Sequence, residues 1–116
     1  MAEFKQVLRT DELQEGQMRR VIVDGKEILL ARVANQFYAA SNICPHMSAR
    51  LAKGILKGTI VTCPLHASQF DLKDGRVIRW TNWSGIILAI GKVFRRPRPL
   101  LTYRVKTEGD QVLVEV

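Results

Sequence analysis

The chain reads as all-β, and three observations carry that reading. Short alternating or β-branched apolar runs recur along it, Asp-Gly pairs at Asp24-Gly25 and Asp74-Gly75 punctuate them as hairpin turns, and further glycines mark the remaining reversals. Together they predict short antiparallel strands joined by tight turns, packed as a sandwich of sheets.

Taken in order, residues 4–8 alternate apolar and polar as an entering strand does, and Asp11, Glu12 and Gly16 fall in a turn. Residues 21–23 and 27–33 flank Asp24-Gly25, a two-residue turn whose central positions both need positive φ. Asn35-Gln36 predicts another turn, into a short strand over 37–40. Gly54 and Gly58 read as turn or bulge points, 59–62 as a β-branched strand, 68–72 as its partner, and Lys73-Asp74-Gly75-Arg76 as a second Asp-Gly hairpin. Trp80, Trp83 and the glycine-bounded apolar run at 86–90 read as an added buried strand, or else as an exposed patch that docks a partner subunit. Residues 101–106 and 111–116, separated by Glu108-Gly109-Asp110, close the chain as a hairpin.

A length of 116 residues predicts one domain, 1–116, and 47% hydrophobic residues suffice for a core without disulfide support. The first residues are polar and soon acidic, unlike a signal peptide, and the run at 86–90 is far too short to span a bilayer. A formal charge of +7 raises the question of nucleic acid. The bases are spread along the chain apart from Arg95-Arg96-Pro97-Arg98, and no nucleic-acid motif accompanies them. Steering toward an acidic partner surface accounts for them better; a solvated, solubilising face is the plain alternative.

Chemistry concentrates in two short hooks, Cys44-Pro45-His46 and Cys63-Pro64-Leu65-His66, sixteen residues apart. They hold both cysteines and both histidines of the chain. Thiolate with imidazole suits zinc or an iron–sulfur cluster, whereas calcium and magnesium want oxygen. A zinc finger pairs like ligands within each hook, and here each hook mixes one Cys with one His. A zinc-binding structural module stays open on ligand type alone. With both cysteines committed, none is left for a bridge, which fits a reducing, cytoplasmic setting.

The pattern Cys44-x-His46-x16-Cys63-x2-His66 resembles the binding motif of Rieske [2Fe–2S] proteins, in which two cysteines hold one iron and two histidines the other. Similarity to the small Rieske-type ferredoxins extends over residues 42–46, 51–58, 63–66 and 70–75, and more weakly through Pro97 and Tyr103. The resemblance implies a Rieske fold with a cluster-binding subdomain at about 42–75. It also implies one [2Fe–2S] cluster held by Cys44, His46, Cys63 and His66, with Leu51 and Leu56 packed beneath it. The extra cysteine in each hook of the high-potential relatives is absent. From Trp80 the chain departs from the family pattern, reaching the expected proline loop only at Pro97 or Pro99.

Two neutral imidazoles donate less charge than two thiolates, so the resemblance implies easier reduction than in plant-type ferredoxins. Ser68 stands where the high-potential Rieske relatives place a hydroxyl on a bridging sulfide, which favours the reduced form; Phe70 replaces their tyrosine and has no hydroxyl to give. A turn hydroxyl and plain core packing are the ordinary readings of these two. The implied potential lies in the lower half of the Rieske range. Met47 shields one face of the site or simply fills a gap, and Leu65 sits within the second hook. No histidines remain for a mononuclear catalytic iron, so the chain is read as an electron carrier, not an enzyme. It would link a flavin reductase to a terminal oxygenase; the alternative is a small accessory subunit of a reductase such as NAD(P)H nitrite reductase.

Overall fold

In the computed structural model, whose described residues are 3–45, 49–64, 67–79 and 98–116, every regular element except two single turns of 3-10 helix is a strand. In chain order these are β1 (Phe4–Arg9), β2 (Met18–Val23), β3 (Lys26–Val33), β4 (Gln36–Ser41), β5 (Ile55–Lys57), β6 (Ile60–Thr62), β7 (Gln69–Asp71), β8 (Val77–Arg79), β9 (Thr102–Tyr103), β10 (Val105–Glu108) and β11 (Gln111–Glu115). They pair antiparallel into three sheets, ordered β1-β11-β10, β2-β3-β4-β9 and β5-β6-β7-β8.

Strand β3 is the wall between two cores. Ile28, Leu29, Leu30 and Ala31 are all fully buried, and the two-residue period of a strand sends them alternately to opposite faces. Ile28 and Leu30 join Leu8, Leu13, Ala39, Val112 and Val114, which fasten the terminal sheet. Leu29 and Ala31 join Ala40, Cys44, Leu51, Val61, Cys63, Phe70, Leu72 and Leu100 on the other side. At about 1.5–3 kcal/mol per large side chain, Leu29, Leu51, Phe70 and Leu72 contribute on the order of 6–12 kcal/mol of transfer free energy to holding the third sheet in place, before chain entropy is set against it.

The Asp24-Gly25 hairpin forms as its sequence predicts, with φ of 51° and 77° and Val23 opposite Lys26. The next turn lies one residue earlier than Asn35-Gln36. Ala34 and Asn35 hold the positive φ values, 53° and 61°, and Gln36 already pairs with Val33. Alanine rarely adopts that region, so the sequence does not advertise the turn. The Glu15 carboxylate supports it from outside, accepting the Ala34 N–H at 2.6 Å and the Asn35 N–H at 3.0 Å.

The stretch Lys73-Asp74-Gly75-Arg76 is not a two-residue hairpin. Gly75 alone of the four has positive φ; the Asp71 N–H donates to the Arg76 carbonyl at 2.9 Å, so four residues, 72–75, make the connection. Asp71 is buried and gathers that loop by accepting the Lys73 N–H at 3.0 Å. Nor is 101–106 one strand. Thr102 and Tyr103 pair with Ala40 and Ala39 of the middle sheet, whereas Val105 begins the pairing with β11 of the terminal sheet, so the chain crosses between sheets at Arg104. The readings of Trp80, Trp83, the run at 86–90 and Pro97 concern residues outside the described ones. Among the described residues no helix is long and apolar enough to cross a membrane.

Candidate metal centre

Two sheets deliver the two hooks. Strand β4, paired with the wall strand β3, ends at Ser41, and Asn42 and Ile43 carry the chain into Cys44. Strand β6 ends at Thr62 and delivers Cys63. Each hook closes the same way: the Cys44 N–H donates to the Ala49 carbonyl at 2.8 Å, and the Cys63 N–H donates to the Ser68 carbonyl at 2.7 Å. In both, the cysteine amide is tied to the residue five positions on, so two loops of like size reverse the chain immediately after a thiol. Both thiols belong to one core, with side-chain-bearing residues only 1% and 3% exposed.

The first hook is anchored at Asn42, which is fully buried. Its backbone N–H donates to the Glu27 carbonyl at 3.0 Å and its Nδ2 to Glu27 Oε1 at 3.0 Å. Its Oδ1 accepts the Ala52 N–H at 2.8 Å and its carbonyl the Leu51 N–H at 2.8 Å. Glu27 Oε1 also accepts from Arg20 Nε at 2.7 Å and Arg50 Nε at 3.1 Å. The Arg20 hydrogen bond, then that of Asn42, holds the Glu27 carboxyl below the usual carboxylate range. Leu51 lies fully buried under this hook and Leu56 packs partly buried against the same core.

In the second hook Ala67 is left-handed, with φ of 59°, and its carbonyl accepts Arg79 Nε at 3.1 Å. Ser68 and Phe70 are fully buried, Phe70 within the core that holds both thiols. A third segment closes the site: the Leu100 N–H donates to the Gly75 carbonyl at 2.8 Å, Pro99 lines a cleft of about 330 Å³ beside Cys44 and Pro45, and Arg98 Nη2 donates to the Pro45 carbonyl at 3.2 Å. Of the predicted site residues, the structure brings together Cys44, Cys63, Ser68 and Phe70. His46, Met47, Leu65 and His66 lie outside the described residues.

Sequence reasoning missed Glu27, Arg79 and Arg98. Glu27 and Arg50 are 23 residues apart and no local pattern links them; Arg98 sits in the basic run Arg95-Arg96-Pro97-Arg98, which is a signal in hindsight. The donor set fits an iron–sulfur group: two buried thiols on facing loops, each with its amide already bound and its backbone fixed by a sheet. Such a site belongs to the class of small β proteins that hold a metal centre between two loops, zinc or iron–sulfur.

The Rieske [2Fe-2S] domain model matches residues 3–89, three quarters of the chain, and the chain belongs to that family. It is 34% identical over 105 residues to the ferredoxin component of a naphthalene 1,2-dioxygenase system of Pseudomonas aeruginosa, covering 90% of this chain and 88% of that one. Among solved structures, the ferredoxin of carbazole 1,9a-dioxygenase from Nocardioides aromaticivorans superimposes with a TM-score of 0.77 at 27% identity, over 96% of this chain and 95% of that one. A chain of a complex of reduced oxygenase and oxidized ferredoxin in carbazole 1,9a-dioxygenase matches with a TM-score of 0.76 at 27% identity, over 96% and 91%. Family membership decides between the two chemistries that ligand type left open: the cofactor is one Rieske [2Fe–2S] cluster, and the chain is an electron carrier and not itself an enzyme.

Proposed function

We propose that Cys44, His46, Cys63 and His66 hold the cluster, each hook giving its Cys to one iron and its His to the other. We further propose that the whole chain, 1–116, works as one cytoplasmic domain that takes electrons singly from a flavin-dependent reductase and hands them to the terminal oxygenase of a ring-hydroxylating system. When bound, the cluster supplies a reversible one-electron couple. The protein's own part is to hold two loops rigidly against one core, so that little reorganises when the charge changes.

The observation that carries this reading is the matched pair of closures at Cys44 and Cys63 over a shared core. The relatives that bear the name ferredoxin component, and the oxygenase complex containing one, support the choice of partners.

Low-temperature EPR of the dithionite-reduced protein tests the ligand set. The expected spectrum is that of one reduced binuclear cluster with nitrogen coupling from two imidazoles, abolished in Cys63→Ser. A fully coloured Cys63→Ser variant, or a colourless protein with one zinc per chain, would overturn it. Hydroxylation of an aromatic substrate by reductase and terminal oxygenase should then require this chain.

A further inference from the structure

The charges of the chain are segregated. Residues 42–100 hold ten of the eighteen Lys and Arg and two of the eleven Asp and Glu, a net of +8, while the remainder holds eight bases against nine acids. Among the described residues the first set places seven bases against Asp71 and Asp74, a net of +5, on the hooks, the β5–β8 sheet and the segments beside them, while the second set builds the terminal and middle sheets; Arg50 pairs across to Glu27. In the nearly neutral part the charges meet one another, as in Lys5 with Asp24, Arg9 with Asp110 and Lys106 with Glu108. In the basic part both acids, Asp71 and Asp74, are engaged within the β7–β8 connection by Arg76.

Two exposed arginines stand on the hooks themselves, Arg98 bonded to the Pro45 carbonyl and Arg79 to the Ala67 carbonyl. Among the described residues neither meets a carboxylate. One bond to a hook uses a small part of a guanidinium with five N–H donors.

We propose that the hook end is a cationic docking face for a partner protein that surrounds its own electron-transfer site with Asp and Glu, and that Arg79 and Arg98 are its inner contacts. The proposal rests on the electron-carrier reading and adds the sign of the partner's surface. A field concentrated at one end of the molecule both raises the encounter rate and turns the hooks toward the partner. Solvent-exposed ion pairs add little lasting affinity, which suits a carrier that must leave after each electron. Nucleic acid is the other polyanion of this sign, and no recognised binding motif accompanies the charge.

Stopped-flow oxidation of the reduced holoprotein by ferricyanide and by hexaammineruthenium(III), each taking one electron, tests the face without any partner. The ferricyanide rate should fall about tenfold as salt rises from about 10 to 300 mM, and the hexaammineruthenium(III) rate should rise. Paired Arg79→Gln and Arg98→Gln should lose most of the ferricyanide advantage at low salt, and Arg79→Lys with Arg98→Lys should retain it. Because glutamine also loosens the hooks, Lys53→Glu with Lys57→Glu, at exposed positions away from the two hook carbonyls, should weaken the advantage with the EPR signal unchanged. Like salt dependence for both oxidants, or unchanged rates in every variant with the cluster intact, would overturn the docking face and leave the carrier standing; a protein without a cluster would overturn both. Poly-L-glutamate should inhibit ferricyanide oxidation at about 150 mM salt, and tighter binding of duplex DNA than of poly-L-glutamate would reassign the face to nucleic acid.

Discussion

Glu27 shows how much a single side chain carries here. One carboxylate oxygen receives Arg20, Arg50 and Asn42, and through Asn42 it reaches both the start of the first hook and the turn at Leu51 and Ala52. Its folded pKa lies below the value of about 4.3 it would have unfolded. The stability it contributes is therefore fully present above that value and is lost as pH falls through the depressed one. Glu27→Gln should flatten the fall of Tm between about pH 5 and 3; parallel slopes for the two proteins would show that other carboxylates, Glu15 and Asp71 among them, carry the acid sensitivity. Ser68 makes a different claim. It is fully buried in the second hook, its carbonyl holding the Cys63 amide. If its hydroxyl favours the reduced cluster by the worth of one hydrogen bond, about 1–1.5 kcal/mol, Ser68→Ala should lower the midpoint potential by about 50 mV in direct voltammetry. An unmoved potential with lowered Tm would assign the hydroxyl to loop support.

Among the elements, the β7–β8 connection is where a local reading of the chain and the fold part company. Asp-Gly suggests a two-residue turn, yet Asp74 is not left-handed, and the reason lies outside the loop: the Leu100 segment crosses it, bonds to the Gly75 carbonyl, and sits so close that a Cβ on Gly75 would collide with the Leu100 carbonyl oxygen. Gly75→Ala should therefore displace residues 98–100 from the site and destabilise the protein by more than the roughly 1 kcal/mol of a simple left-handed glycine, measured by chemical denaturation. A cost at or below that value would mean the contact relaxes freely. The same logic separates what was legible elsewhere. The meeting of Cys44 and Cys63 could be read because thiols beside imidazoles at such spacing have few other uses, and Asp24-Gly25 could be read because the turn's demands are local. The turn at Ala34 and Asn35 depends on Glu15, twenty residues away, and the crossing at Arg104 depends on which sheet edge is vacant; alternation through Tyr103 and Val105 is the same on either side.

For the molecule as a whole, the two cores on either face of β3 imply two levels of stability. The core of Leu8, Ile28, Leu30, Val112 and Val114 is built from long pairings, the terminal and middle sheets, and owes nothing to a metal. The other core depends on three-residue strands and has Cys44 and Cys63 within it. With Cys44 and Cys63 as the proposed ligands, removing the cluster would take away the bonds that tie the loops together, and binding free energy that had counted toward folding would be withdrawn from that side alone. Chelation of the iron should thus accelerate hydrogen exchange of amides in residues 49–64, 67–79 and 98–101, while β1, β3 and β11 keep their protection. The amides of Cys44 and Cys63 report most directly, since each closes a hook. Uniform loss of protection across all three sheets would show that the wall strand couples the cores into one cooperative unit, in which case cluster loss and global unfolding should share a single midpoint.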